Sequence, residues 1–204
     1  GEAARASWVG GDATPKISAN MDFMDKIFSR EPLDKGLYDA LKALVPGAPE
    51  EVVIGVGEFL TYTVTACVRG EGWRHRTIWN VTDNQNTRSW IKLRYSKIPI
   101  VQFVIQILNQ AEVMWGFDTI GVYIRTYHNL LPDQLTREDW RECQSKLIRE
   151  GWKEVSLAAG WKYFLGEFEK QHLLRLGALV PYQVGDKEVR LARQLAEQRG
   201  GRQV

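Results

Sequence analysis

The chain has little cysteine, little histidine and almost no excess of charge of one sign. Its 204 residues include two cysteines and three histidines, and 27 basic and 25 acidic side chains leave a net charge of +2. Two cysteines make neither a disulfide framework nor a cysteine-based zinc site. So small a net charge is no argument of its own for a nucleic-acid partner. We therefore expect a reduced, intracellular protein of the cytoplasm or nucleus.

Long apolar runs and a signal-peptide pattern are also missing. A membrane-spanning helix needs about 20 apolar residues, and no run approaches that length, so we expect no membrane partner. We expect no export either, because the first residues lack a basic segment followed by an apolar one. The sequence does have 44% hydrophobic residues and eight tryptophans, enough for a packed core. The length fits one domain with an extension.

Predicted strands and helices alternate along the first two thirds of the chain. This alternation favours an α/β fold, in which helices cover a sheet. β-rich composition and helical periodicity distinguish the two kinds of element. The predicted strands are 7–11, one or two within 16–30, 76–82 and 119–125, and the clearest predicted helices are 50–68 and 100–115.

Beyond residue 137 the sequence becomes helical in character. Thr136 followed by Asp139 predicts the N-cap of a helix. Tryptophans then recur through residue 161 and are more often packing residues than a binding platform. We expect a domain over residues 1–137 and a helical extension over 138–204. The extension either packs on the domain or leads to a following module.

Four acidic residues lie where predicted elements could bring them together. Asp12 follows the first predicted strand, Glu58 lies on the helix 50–68, Asp83 ends the strand 76–82, and Asp133 lies in the region after the last strand. Clustered carboxylates raise one another's pKa unless a cation neutralises them. A hard divalent ion such as Mg²⁺ takes oxygen ligands and can join them to a phosphate. Any one of these acids, taken alone, equally fits a solvated or capping position.

Each acid lies in a short motif: DAT at 12–14, GEFL at 57–60, TDN at 82–84 and NLLPDQLTR at 129–137. Together they resemble the ribonuclease H domain of retrotransposon-type reverse transcriptases. In that family a strand ends in Asp, a small residue and Ser or Thr, a helix presents Glu, and a central strand ends in Asp-Asn or Asp-Ser. The last motif, Asn, two residues, Ala-Asp, one residue and Leu-Ser-Arg, is the most specific. The resemblance covers about residues 7–137 and implies a ribonuclease H-like mixed sheet flanked by helices.

The resemblance implies hydrolysis of the RNA strand of an RNA–DNA hybrid by two Mg²⁺ ions, with Mn²⁺ as a substitute. One ion activates a water for in-line attack and the other stabilises the leaving 3′ oxygen. Asp12 is then expected to bridge the ions, Glu58 and Asp83 to bind one of them, and Asp133 to bind the other. The polymerase domain of the parent polyprotein is the expected protein partner.

Two residues that precede Asp133 in the sequence, His128 and Asn129, could assist the reaction or the binding of nucleic acid. His128 could transfer a proton or help product release, since histidine titrates near neutrality, or it is an ordinary loop histidine. Asn129 is expected to contact nucleic acid or to tie the loop in place, and Asn84 is also expected to contact nucleic acid.

Residues 85–98 carry four basic side chains and no acidic one. Such a segment could follow a nucleic-acid backbone, where cations contact phosphates. Alternatively it is a solvated helix face with Trp90 in the core. The basic side chains are Arg88, Lys92, Arg94 and Lys97.

Two other functions remain open. The chain could be an inactive ribonuclease H-like module that binds hybrid or supports a polymerase. It could also be a DNA nuclease of the same superfold, because a fold does not determine a substrate. The oligomeric state is open as well.

Overall fold

The computed structural model describes residues 5–14, 17–32, 35–125 and 130–179. Internal contacts divide the chain into two compact units, residues 1–156 and 157–204. The strands are β1 (Arg5–Ala13), β2 (Ile17–Asp22), β3 (Ile27–Pro32), β4 (Arg76–Thr82), β5 (Asp118–Tyr123) and β6 (Lys153–Glu154). The helices are α1 (Lys35–Leu44), α2 (Glu50–Arg69), α3 (Gln85–Leu93), α4 (Pro99–Trp115), α5 (Leu130–Thr136), α6 (Trp140–Arg149) and α7 (Ala158–Leu179), with a short 3-10 helix at Gly70–Trp73.

The first unit is built on a mixed six-stranded sheet of order β5-β4-β1-β2-β3-β6. β1, β2 and β3 form an antiparallel meander. β4 lies parallel to β1, β5 lies parallel to β4, and β6 lies parallel to β3. The predicted fold class, an α/β arrangement with a mixed sheet flanked by helices, is confirmed, and it is compatible with a ribonuclease H-like fold.

Helix α2 is the central helix of the first unit. It begins after Pro49 with Glu50 and Glu51 in its first turn and ends with Arg69, charges that suit the two ends of the helix dipole. With the following 3-10 helix, it has the length and apolar composition of a membrane span, contrary to our expectation that no run approaches one. However, 72% of its most apolar window is buried inside the protein, as in a core helix packed on a sheet.

The two faces of the sheet are covered by different helices. Asn20 and Asp22 of β2 lie with Thr65 and Arg69 of α2 around one small pocket. Their neighbours on the strand point the other way, because side chains alternate across a sheet. That opposite face packs against α5 and α6 in a buried cluster of Ala19, Met21, Phe28, Leu135 and Leu147.

Residues 138–156, predicted as part of the extension, lie in the first unit. Strand β6 pairs with β3, and the Trp152 ring meets that of Phe23 edge to face, with centroids 5.5 Å apart. The prediction that Thr136 caps the following helix was wrong: Thr136 ends α5, and Asp139 occupies the N-cap position of α6.

The described part of the second unit is helix α7. Three of its aromatic side chains, Trp161, Phe164 and Phe168, are spaced three or four residues apart, so they lie along one side of the helix. Trp161 meets Phe164 edge to face and Phe164 stacks on Phe168, each pair with ring centroids 6.4 Å apart.

Candidate metal centre

Two of the four predicted acids lie at the ends of adjacent parallel strands. Gly10 of β1 is opposite Val81 of β4, and each strand carries an acid two residues further on. Parallel strands place their carboxyl ends at the same edge of a sheet. Asp12 and Asp83 therefore meet at one end of the sheet, as predicted elements that bring the acids together require.

Helix α2 contributes the third acid. Glu58 lies in the middle of the helix and is only 8% exposed. Asp12, Glu58 and Asp83 each offer a carboxylate oxygen, and these three oxygens lie within 4.8 Å of one another. Such a group of hard oxygen donors could hold a metal ion.

The pKa values reflect this crowding. Burial, and next the charge of Asp83, raise the pKa of Asp12 from 3.8 to about 7, and the charge of Asp133 adds to the effect. The pKa of Glu58 is raised well above its ordinary value, chiefly by burial and then by Asp83. Among the described residues, no lysine or arginine forms a salt bridge with either acid. A bound cation would supply the missing positive charge.

Two threonine hydroxyls donate hydrogen bonds to the cluster. The Thr82 hydroxyl donates to Oε2 of Glu58 over 2.7 Å, and the Thr136 hydroxyl lies 3.1 Å from Oδ2 of Asp12. These hydrogen bonds lower the pKa of their carboxyl groups, although they do not outweigh burial and repulsion.

The fourth acid, Asp133, lies beside this group on helix α5. Its carboxylate accepts from Arg137 over 2.5 Å and its side chain is 22% exposed. Helix α5 is held on the sheet by Arg30 of β3, whose Nε donates to the carbonyl of Leu135 over 2.9 Å. Asp133 is thus close enough for its charge to raise the pKa of Asp12.

Asn84, predicted to contact nucleic acid, has a structural role here. It is the N-cap of α3, and its side-chain oxygen accepts from the Thr87 backbone N–H over 3.1 Å. Its amide nitrogen donates to the Glu51 carbonyl of α2 over 3.0 Å. Gly55 makes this approach possible, because a Cβ there would lie 2.6 Å from Oδ1 of Asn84. Asn84 therefore joins α3 to α2 from a buried position.

The basic side chains of residues 85–98 fall into two groups. Lys92 and Lys97 are exposed and Arg88 is half-buried. Arg94 instead pairs with Glu112 of α4 and donates to Asn109 over 2.7 Å, which is a role within the fold. Segment 85–98 contains the helix α3, with Trp90 buried, as the second interpretation of the sequence expected.

His128 and Asn129 lie outside the described residues. Three functional features had not been identified from the sequence: the hydroxyl donors Thr82 and Thr136, and the contact of Gly55 with Asn84. An N-cap signal at Asn84 was present in the sequence, because asparagine is favoured at that position.

No family model, no curated protein and no solved structure matches the chain.

Proposed function

We propose that the chain is a ribonuclease H-type two-metal endonuclease that hydrolyses the RNA strand of RNA–DNA hybrids. We further propose that it is part of a retrotransposon-type reverse transcriptase polyprotein, whose polymerase domain is its partner. The observation that carries the proposal is the convergence of Asp12, Glu58 and Asp83, within 4.8 Å, from two parallel strands and the central helix. The resemblance of their sequence motifs supports the choice of substrate.

The donor set fits Mg²⁺, with Mn²⁺ as a substitute. All the ligands are carboxylate oxygens, which hard divalent ions prefer, and the raised pKa values of Asp12 and Glu58 indicate a site that needs positive charge. Two bound ions would lower the pKa of a water and stabilise the leaving 3′ oxygen.

We assign each acidic residue of the site as a ligand of one or both ions. The charges of both Asp83 and Asp133 act on Asp12, and we assign Asp12 as the ligand that would bridge the two ions. Glu58 and Asp83 would hold one ion and Asp133 the other. Arg137 holds the Asp133 carboxylate through an ion pair.

Two exposed lysines of residues 85–98 are assigned to contacts with the substrate backbone. Helix α3 begins two residues after Asp83 and carries Lys92 in its last turn, roughly 13 Å away at 1.5 Å per residue. Lys92 and Lys97 are therefore assigned to phosphates away from the cut, where contacts position a duplex without reading its sequence. Arg88 is a third candidate, whereas Arg94 and Asn84 are already engaged within the fold.

The experiment compares three labelled duplexes of one sequence in Mg²⁺: RNA–DNA hybrid, DNA–DNA and RNA–RNA. The proposal expects cleavage of the RNA strand of the hybrid alone. Cleavage of duplex DNA would instead establish a DNA nuclease. Salt-sensitive binding of the hybrid by folded protein, with no strand cut in Mg²⁺ or Mn²⁺, would establish an inactive binding module. Asp118→Asn is the matched control. Asp118 is exposed, and it lies at the start of β5, at the opposite end of the strands from Asp12 and Asp83.

A further inference from the structure

Thr82 lies directly before Asp83, but its side chain points to the α2 side of the sheet. It is 2% exposed and its hydroxyl is 2.7 Å from Oε2 of Glu58. Thr82 therefore contacts one ligand of the candidate metal centre while its neighbour in sequence is another.

The direction of the Thr82 hydroxyl is set by a second hydrogen bond. The backbone N–H of Asn84 donates to Oγ of Thr82 over 3.1 Å. A hydroxyl has one proton to donate, and an oxygen that accepts from Asn84 directs that proton towards Glu58. Two consecutive hydrogen bonds therefore connect the Asn84 backbone N–H, at the start of α3, through the Thr82 hydroxyl to one oxygen of the Glu58 carboxylate.

We propose that Thr82 is a positioning residue that holds Glu58 for the metal ion it shares with Asp83, an inference that rests on the proposed function. A carboxylate at the end of a long side chain can rotate about its last bonds. The Thr82 hydroxyl holds Oε2 and leaves the other oxygen for the cation. Because Thr82 and Asp83 are consecutive, one strand end orients two ligands at once.

The contact between Gly55 and Asn84 strengthens this arrangement. Asn84 is bonded to the Glu51 carbonyl of α2, and the Thr87 hydroxyl donates to the Gly55 carbonyl over 3.0 Å. These bonds keep α2, which carries Glu58, at a fixed distance from the end of β4, which carries Thr82. The hydrogen bond from Thr82 to Glu58 therefore joins two elements already held together.

The test measures Mn²⁺ affinity without nucleic acid, by electron paramagnetic resonance of free Mn²⁺, in wild type, Thr82→Val and Thr82→Ser. Valine keeps the shape of threonine but has no hydroxyl, whereas serine keeps the hydroxyl. We expect Mn²⁺ to bind Thr82→Val at least about tenfold more weakly and Thr82→Ser within about twofold of wild type. Thermal unfolding of the metal-free proteins runs in parallel, since a purely structural role would lower Tm and leave the affinity unchanged.

The other possible outcomes distinguish failure of the positioning role of Thr82 from failure of the proposed function. Wild-type affinity in folded Thr82→Val would overturn the positioning role and leave the proposed function standing. Equal loss in the valine and serine variants would also overturn it, because the hydroxyl would not be responsible. Absence of Mn²⁺ binding by wild type would overturn both proposals. Should valine prevent folding, Thr82→Ala gives the same comparison with a smaller side chain.

Discussion

The hydroxyl of Thr136 donates to Oδ2 of Asp12 across 3.1 Å, although the two residues are 124 positions apart in the chain. The same hydroxyl also donates to the carbonyl oxygen of Asp133 over 2.8 Å, one turn earlier in α5, so its single proton is shared between the two oxygens. Thr136 thus links the helix that carries Asp133 to the strand that carries Asp12. It brings the last of the four sequence motifs to the first.

Thr136→Ala should reduce hybrid cleavage about five- to thirtyfold. The loss of a hydrogen bond to a charged group costs roughly 1–2 kcal/mol, which converts to that range of rate. Single-turnover cleavage in Mg²⁺ is the measurement. Thr136→Ser, which keeps the hydroxyl, should retain most of the activity, and an equal loss in both variants would count against this role.

Divalent cations should stabilise the folded protein through the acid cluster. A ligand that binds only the folded state at 100 times its Kd adds about 2.7 kcal/mol to the free energy of unfolding. We expect Mg²⁺ to raise the Tm of wild type and of Asp118→Asn but not that of Asp12→Asn. Equal stabilisation of all three proteins in thermal unfolding would place the ion elsewhere.

The metal-free protein should lose stability as pH rises from about 4 to 7. Asp12 has a pKa of about 7 in the folded state against 3.8 as the ordinary value, so the folded state binds this proton more tightly than the unfolded state. Its stabilising contribution is complete below pH 4 and is lost as the pH rises through 7.

Asp12→Asn removes that contribution to the pH dependence. The free energy of unfolding of the variant should therefore increase relative to wild type between pH 4 and 7, by at most about 4 kcal/mol. Urea unfolding with a chelator at several pH values measures the difference. Parallel pH profiles for the two proteins would show that Asp12 titrates normally.

Two glycines of α2 should respond in opposite ways to alanine. At Gly55 a Cβ would lie 2.6 Å from Oδ1 of Asn84, whereas at Gly57 it would meet nothing within 4 Å. Gly55→Ala should cost about 1–3 kcal/mol through overpacking. Gly57→Ala should add about 0.5–1 kcal/mol, because alanine favours the helix. Urea unfolding measures both, and equal effects would argue against the close contact with Asn84.

The basic side chains of residues 85–98 should separate into binding and structural groups. Alanine at both Lys92 and Lys97 should weaken hybrid binding and reduce the slope of log K against log salt by about 2, with stability nearly unchanged. Arg94→Ala should destabilise the protein instead, because its guanidinium donates to Glu112 over 3.0 Å and to Asn109. Salt-dependent binding and urea unfolding of each variant check the division. A loss of binding by Arg94→Ala at full stability would reverse the assignment.

The sequence predicted the bounds of strands and helices well where the pattern lies within one continuous segment. The strand 76–82 has the predicted bounds, since its β-branched and aromatic residues form a continuous pattern that Asp83 ends. The predicted helix 100–115 differs by one residue from α4. The edge at which Asp12 and Asp83 meet follows from two such strands lying parallel. Strand β6, by contrast, is two residues long and too short to have a periodicity.

The supporting bonds of the site depend on contacts between distant parts of the chain. Thr82 and Glu58 are 24 residues apart, and Thr136 and Asp12 are 124 apart. Neither bond has a sequence pattern, because each arises only when two elements pack against each other. Arg94 shows the same limit: its charge suggested a phosphate contact, but the fold places it against Glu112.

The most direct test of the central claim is cleavage of a labelled RNA–DNA hybrid in Mg²⁺ by wild type, Asp83→Asn and Asp118→Asn. Asp83→Asn removes one carboxylate of the group whose ligand oxygens lie within 4.8 Å, and Asp118→Asn changes an exposed acid at the opposite edge. We predict that wild type and Asp118→Asn cut the RNA strand and that Asp83→Asn and chelated wild type do not. Undiminished cleavage by folded Asp83→Asn, or none by folded wild type, would contradict the assignment of this cluster as a nuclease site.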